Sequence, residues 1–132
     1  MARTEALPRS RHLVYLERAN EFSRQMDRAA SEKAWNSVGL LGVHCVISAC
    51  DALTVRLAGR RWSGQDHAGQ LGLVRSLNLA NADVALRQIT DVLDKKNQVE
   101  YEARVFTEKE ATELSRSARR VLTWVASQIA AG

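Results

Sequence analysis

Apolar residues recur every three to four positions through most of the chain, a period that predicts amphipathic helices and not strands. The first such stretch begins near Pro8 or Ser10 and runs to about Ala29. The second runs from about Glu32 to Ala58 and is apolar on more than one face. A helix of that kind lies in the middle of a bundle, so we predict one central helix with amphipathic neighbours.

Residues that favour helix ends fall between these stretches. Ser31 is predicted to cap the second helix, and Gly59 to end it in the left-handed conformation. A loop is expected to follow as far as Asp66. Either Ser63 or Asp66 then caps a short third helix of about residues 67–77.

The last third of the chain predicts two more long helices. Asn81 is expected to cap a fourth helix of about residues 82–103, whose apolar stripe is interrupted by polar residues at 94–98. The segment Thr107–Glu110 is a capping box, with Thr at the cap and Glu three residues on, and the fifth helix follows to about Ala130. Four long helices, one short helix and short loops together predict an all-α fold, an up-and-down four-helix bundle with one extra short helix.

Composition agrees with a single helical domain over residues 1–132. Aromatic residues make up 5% of the chain and there is one proline, which argues against a β-sandwich or barrel. The apolar share of 45% argues against disorder. Residues 1–8 are expected to form a flexible basic arm.

Charge and cysteine content narrow the possible partners. The formal net charge of +4 permits a nucleic acid or an acidic partner without requiring either. Cys45 and Cys50 are too far apart on a helix for a disulfide, so free thiols and a cytoplasmic location are expected. The apolar stretch 34–57 is broken by polar residues, which favours a buried core helix over a membrane span. No signal peptide is expected at the start.

The interrupted stripe on the fourth helix is the first candidate site. Four polar or partly polar residues occupy positions where the helical repeat predicts apolar side chains: Lys96, Asn97, Glu100 and Tyr101. One interpretation is a solvated helix end. The other is a polar pocket at one end of the bundle, with Lys96 as the cation and Tyr101 as a hydrogen-bond donor.

Asp51 is a second candidate because it lies within an apolar helix, where an unpaired charge is costly. One hypothesis pairs it with a cation, namely Arg56, Lys96 or Arg104. The alternative is a partly exposed carboxylate.

Two further groups of residues are candidate sites. Arg60, Arg61 and Trp62 form a possible nucleic-acid contact in the loop, or a lid over the end of the bundle. His44 beside Cys45 suggests zinc, but adjacent helical residues point about 100° apart, so a packed core histidine is favoured and no metal is expected. The chain has neither a nucleophile elbow nor a glycine-rich phosphate loop, and we expect no cofactor.

The order of several short segments resembles the HEPN domain family. These segments are Ala34 to Val38, Asp51 to Leu53, Asp66 to Gly69, Lys96 to Tyr101 and Phe106 to Ala111. The resemblance implies a four- or five-helix bundle that usually forms a homodimer. It also implies either a metal-independent ribonuclease, often the toxin of a toxin–antitoxin pair, or a module that binds RNA, a nucleotide or a partner such as a small nucleotidyltransferase or an antitoxin.

The family's catalytic signature is an Arg, often followed by a polar residue, with a His shortly after. The resemblance puts Lys96 at the Arg position, Asn97 at the polar position and Tyr101 at the His position. Lysine lacks the bidentate fork of arginine, and a phenol releases its proton far above neutral pH. We therefore favour a binding module without catalysis. The alternatives are a ribonuclease that uses Lys96, Asn97 and Tyr101 with help from His67, and a purely structural oligomer.

Arg61 and His67 also have the signature's spacing. They fall in and after the loop that follows the second helix, which is a different element from the one matched by the resemblance. Asp66 and His67 are therefore interpreted as the start of the third helix. His67 remains a candidate for the mouth of the same pocket.

Overall fold

The computed structural model describes residues 3–102 and 105–132. The order of elements is β1 Thr4–Ala6, a 3₁₀ turn Arg9–Arg11, α1 His12–Ser31, α2 Trp35–Ala58, β2 Arg60–Trp62, α3 His67–Arg75, α4 Asp83–Leu93, α5 Lys96–Tyr101 and α6 Glu108–Ala131. The prediction of an all-α fold is confirmed, with one small two-stranded sheet added to it.

Helix α2 is the centre of the molecule, as its apolar pattern predicts. It packs against α1 on one side and α6 on the other, and α4 completes the core. Gly42 lets α2 and α6 approach closely, since an added Cβ there would overlap the side chain of Leu114. Among the described helices, α2 alone has the length and apolarity to cross a membrane, and most of it is buried against the other helices, as in the core helix of a bundle.

Three predicted helix ends are confirmed. Gly59 ends α2 with φ 65°, in the left-handed region that suits glycine. Asp66 caps α3 and accepts a hydrogen bond from the backbone of Gly69. Thr107 and Glu110 form the capping box of α6, and each side chain accepts a hydrogen bond from the other residue's backbone.

Two other predicted caps are wrong. Ser31 belongs to the last turn of α1, where its hydroxyl donates to the Arg28 carbonyl, and the chain then turns through Lys33 at φ 58°. Asn81 also has a left-handed φ of 55°, so it ends the preceding turn instead of capping α4. In both places a turn residue precedes the helix, and no side chain caps it.

The segment before α1 differs from the expected flexible arm. Residues 4–6 form β1, which pairs antiparallel with β2, with Glu5 opposite Arg61. The predicted loop after α2 therefore contains a strand. Because β1 fixes β2 against the end of α2, it also fixes the direction in which Arg61 points.

The predicted fourth helix is two helices. The chain leaves the α4 direction at Asp94 and Lys95, and α5 begins at Lys96. The polar residues that interrupt the stripe are thus the turn between the two helices. Residues 103 and 104 of the predicted helix lie outside the described residues.

Candidate functional site

A polar recess of about 170 Å³ lies where α2, β2, α3 and α5 meet. Its charged and polar walls are Asp51, Arg61, Asp66, His67, Gln70 and Lys96, and Trp62 forms an aromatic wall. We call it the Arg61 recess. Three of these elements are consecutive in the chain, and β2 and α3 fold back across the C-terminal half of α2, where α5 joins them from a later part of the sequence.

Asp51 is the buried anchor of the recess. Its side chain is 5% exposed and accepts hydrogen bonds from Arg61 Nε (3.2 Å) and Gln70 Nε2 (3.0 Å). Burial raises the pKa of the Asp51 carboxyl from 3.8 to about 6, and the charge and hydrogen bond of Arg61 oppose that rise. The carboxylate therefore depends on Arg61 for its charge at neutral pH.

The partner of Asp51 differs from each predicted partner. Neither Arg56 nor Lys96 makes the ion pair within the described part of the chain, and Arg104 lies outside it. The prediction of a paired carboxylate nevertheless holds, and the partly exposed alternative is wrong. Arg61 takes this role because β2 turns its side chain back over the C-terminal half of α2.

Arg61 is held on two sides. Its guanidinium carbon lies 5.4 Å from the centre of the Tyr15 ring, in cation–π range, and Arg18 stacks on the same ring at 5.3 Å. Only Nε faces Asp51. Within the described residues the two terminal nitrogens of Arg61 make no hydrogen bond, so they remain able to form a fork with a ligand oxygen.

His67 lies at the first turn of α3, across the recess. Its Nε2 lies 3.1 Å from the Asp94 carboxylate at the end of α4. This contact ties α3 to α4 and fixes the plane of the imidazole ring, while the ring still lines the recess. Lys96, two residues after Asp94, brings a second cation to the same wall.

Trp62 closes one side of the recess as a fixed wall. Its indole Nε1 donates to the Asp66 carbonyl at 3.0 Å. The ring lies directly on the backbone of Gly64 and Gly69, where any added Cβ would overlap it. Both glycines are therefore required for this position of the ring.

Three residues predicted for the pocket lie outside the recess. Tyr101 is 75% exposed, and Asn97 is exposed on α5. Glu100 points to α2 instead, where its carboxylate lies 3.2 Å from His44 Nε2. The separation arises because α5 is a new helix with its own axis, so the positions of 97, 100 and 101 no longer follow from the α4 stripe.

The structure brings Asp51, His67 and Lys96 together and adds Arg61, which the sequence analysis names as a possible nucleic-acid contact but not as part of the pocket. The missed signal was the spacing from Arg61 to His67, discounted because the segment was assigned to a loop. Of the three loop residues proposed to contact nucleic acid, Arg61 and Trp62 line the recess. Arg60 points to the opposite face of β2 and donates to Thr4 Oγ1 at 2.8 Å.

The histidine and cysteines of α2 form a separate region. His44 is partly exposed and lies edge-on to Phe22 at 6.2 Å, so the expected packed core histidine is wrong. Cys45 and Cys50 are buried free thiols, as predicted. Burial raises the pKa of Cys45 to about 12 and raises that of Cys50 as well. No group of three metal-ligating side chains occurs in the ranges 3–102 and 105–132.

Comparison with known proteins identifies the fold. The model of the HEPN domain family matches residues 13–128, which include α1 to α5 and most of α6. The crystal structure of an archaeal HEPN homologue matches with a TM-score of 0.66 over 89% of this chain and 97% of that chain, at 21% identity. At that identity the likeness shows the fold alone. The comparison with curated proteins gives no match. Because the family match covers every element that lines the Arg61 recess, the chain is a member of the HEPN domain family.

Proposed function

We propose that the Arg61 recess binds a phosphate group of RNA or of a nucleotide, with Arg61 and Lys96 as the cations that hold it. Membership of the HEPN family supports a nucleotide-binding or ribonuclease-like module. The observation that carries the proposal is the state of Arg61, a guanidinium stacked on Tyr15 and anchored at Nε by Asp51 while its terminal nitrogens make no protein hydrogen bond within the described residues. Such a held fork is well suited to two oxygens of one phosphate.

The neighbouring groups fit the rest of a nucleotide. Lys96 adds a second positive charge on the opposite wall, and Trp62 offers an indole to a base or a ribose. The volume of about 170 Å³ holds a phosphate and part of a sugar, which leaves the base at the mouth of the recess. The phosphate of the ligand therefore contributes most of the binding affinity, and the base contributes less.

The test is binding of a fluorescently labelled dinucleotide, measured by polarisation in two matched pairs of variants. Arg61→Ala should weaken binding by about tenfold or more, because a charge-assisted contact is lost, whereas Arg60→Ala, one residue away on the opposite face of β2, should not. Lys96→Ala should weaken binding, and Lys95→Ala should not.

A second variant separates loss of binding from loss of folding. Arg61→Ala leaves Asp51 buried without its cation, and that change alone can unfold the chain. Arg61→Lys keeps a positive charge but loses the fork, so it should fold and still bind more weakly. Equal affinity in all these variants would contradict the proposal.

A second candidate function is cleavage of an RNA phosphodiester, and one observation favours it. Arg61 and His67, which have the spacing of the family's catalytic signature, line the same recess. His67 would accept the proton of the ribose 2′-hydroxyl as its oxygen attacks phosphorus, and Arg61 would balance the charge on the phosphate. The bond to the 5′-oxygen would break, and that oxygen would leave with a proton from water.

Cleavage is tested by incubating purified protein with RNA in the presence of a chelator. Catalysis through the recess predicts cleavage that is lost in His67→Ala and retained in His12→Ala and Tyr101→Phe. Cleavage lost in Tyr101→Phe but retained in His67→Ala would restore the alternative through Lys96, Asn97 and Tyr101. Binding without cleavage in any variant would leave the binding module as the function.

A further inference from the structure

A second basic surface lies away from the Arg61 recess, on the side of the bundle formed by α3, α4 and α6. Three shallow depressions of about 340, 390 and 330 Å³ follow one another there. Arg75, Asp83 and Leu86 line both the first and the second, and Trp124 lines both the second and the third. The shared walls make them one continuous surface, the arginine groove, which is lined by Arg75, Asp83, Leu86, Arg87, Arg120 and Trp124.

The positive charge of the groove is only partly compensated. Arg75, Arg87 and Arg120 face a single carboxylate, that of Asp83. In the described ranges none of the three guanidinium groups makes a hydrogen bond or an ion pair. Arg119 at the same end is different, since it is bonded to Asp27 at 2.7 Å. Three unpaired arginines along one groove attract a chain of phosphates.

Trp124 adds an aromatic surface between the arginines. The indole is half-buried and rests against the core, so its position is set by packing. It forms part of the wall of two adjoining depressions. Arginines combined with a fixed aromatic ring are the usual means of holding single-stranded nucleic acid, in which bases stack on the ring.

The groove lies close to the Arg61 recess along α3. His67 at the start of that helix lines the recess, and Arg75 at its end lines the groove. The eight-residue step from His67 to Arg75 corresponds to about 12 Å along the helix. A few nucleotides of a single strand cover that distance.

Charge also sets the direction of the strand. The other end of the cleft between α4 and α6 is mainly acidic, because four carboxylates and one cation, Lys95, line it: Asp91, Asp94, Glu110 and Glu113. A polyanion is repelled there. A strand that leaves the recess is therefore drawn towards Arg87, Trp124 and Arg120.

We propose that the arginine groove binds single-stranded nucleic acid and that the strand continues from the phosphate held in the Arg61 recess. The inference rests on the proposed function for its starting point and goes beyond it in naming a polymer, and not a free nucleotide, as the ligand. RNA and DNA both present the groups that the groove would contact, namely phosphates for the arginines and base faces for Trp124.

The experiment compares a labelled dinucleotide with single-stranded RNA and DNA of about twelve nucleotides, by fluorescence polarisation. The test variant is Arg87→Ala with Arg120→Ala. The control is Arg11→Ala with Arg24→Ala, which removes two exposed arginines that line none of the three depressions. The groove variant should weaken binding of the longer strand by about tenfold and the control by less than about twofold, since of these two pairs of arginines only the groove pair contacts phosphates. Dinucleotide binding should be unchanged in both.

The outcomes separate this inference from the proposed function. A longer strand that binds no more tightly than the dinucleotide, or that both double variants weaken equally, would overturn the groove and leave the recess in place. Dinucleotide binding that is unchanged by Arg61→Ala would contradict the proposed phosphate site in the Arg61 recess. In that case, weaker binding of the longer strand by the groove variant would still support the proposed nucleic-acid site in the groove. Weaker binding of either RNA or DNA by the groove variant supports the inference. The nucleic acid that the wild type binds more tightly is the one that the groove prefers.

Discussion

Asp51 shows how a single buried charge organises the site. The carboxylate lies in the most apolar helix of the chain and is satisfied by Arg61 and Gln70, which reach it from β2 and α3. The same contacts fix the position of both residues in the recess. An apolar residue at position 51 would leave Arg61 without its anchor.

The raised pKa of Asp51 predicts a pH-dependent stability. Between about pH 4 and pH 6 the folded chain holds a proton on Asp51 that the unfolded chain releases, so this group's contribution to the free energy of unfolding falls as pH rises. The shift from 3.8 to about 6 corresponds to about 3 kcal/mol. Urea unfolding at several pH values should therefore show the wild type losing about that much relative to Asp51→Asn across this range. A constant difference between the two proteins would contradict the assignment.

Two glycines of α3 provide a matched test of the Trp62 wall. An added Cβ at Gly69 would overlap the indole, whereas one at Gly72 meets nothing within 4 Å. Gly69→Ala should cost about 1–3 kcal/mol of stability or move Trp62, and either change should weaken ligand binding. Gly72→Ala should be neutral or stabilising by up to about 1 kcal/mol and should bind normally. Urea unfolding and the NMR signal of the Trp62 indole N–H check both, and similar behaviour of the two variants would show that the wall is not held by Gly69.

At the scale of elements, the sequence predicts helices better than it predicts their junctions. The apolar period identifies α1, α2 and α6, since each needs an apolar face for the core. It does not reveal that the polar residues at 94–98 are a turn. A helix whose end is solvated and a chain that changes helix axis both interrupt the apolar stripe in the same way, so the sequence pattern does not distinguish them.

The short sheet was missed for a related physical reason. Strands of three residues are too brief to show an alternating pattern, and β1 is stable only because β2 lies beside it. The pairing is a long-range contact that local propensity does not encode. The recess depends on this contact, which explains why Asp51 and His67 were recognised from sequence while Arg61 was assigned to a solvent-exposed loop.

The capping box makes a prediction about α6 as an element. Thr107 Oγ1 accepts from the Glu110 backbone at 3.1 Å, so Thr107→Ala should lower the free energy of unfolding by about 1 kcal/mol. Thr112→Ala, at an exposed position inside the same helix, should cause no loss, because alanine is the better helix former. Urea unfolding of the two variants is the measurement, and equal losses would mean that the cap contributes nothing.

At the scale of the whole molecule, the charges are divided between faces. Arginines predominate in the arginine groove and carboxylates in the cleft near the start of α6, while the Arg61 recess holds Arg61 and Lys96 beside Asp51 and Asp66. The net charge of +4 understates this division. A local field of this kind guides a polyanion to one side of the molecule.

We propose that the chain also forms a homodimer, as the family resemblance suggests. Large apolar side chains are exposed at Leu13 and Val14 on α1 and at Tyr101 and Val105 around the end of α5. Burying such residues against a second copy would favour association. Sedimentation velocity at micromolar concentration should give the mass of two chains, and a monomer at every concentration would contradict the proposal.

The central claim is that Arg61 holds a phosphate while Asp51 anchors it, and side-chain NMR tests this most directly. Titrating a dinucleotide into ¹⁵N-labelled protein should shift the Nε–H signal of Arg61 and the indole N–H of Trp62, and leave the Nε–H of Arg60 in place as an internal reference. Shifts at Arg60 without shifts at Arg61, or no shift at saturating dinucleotide, would contradict the account.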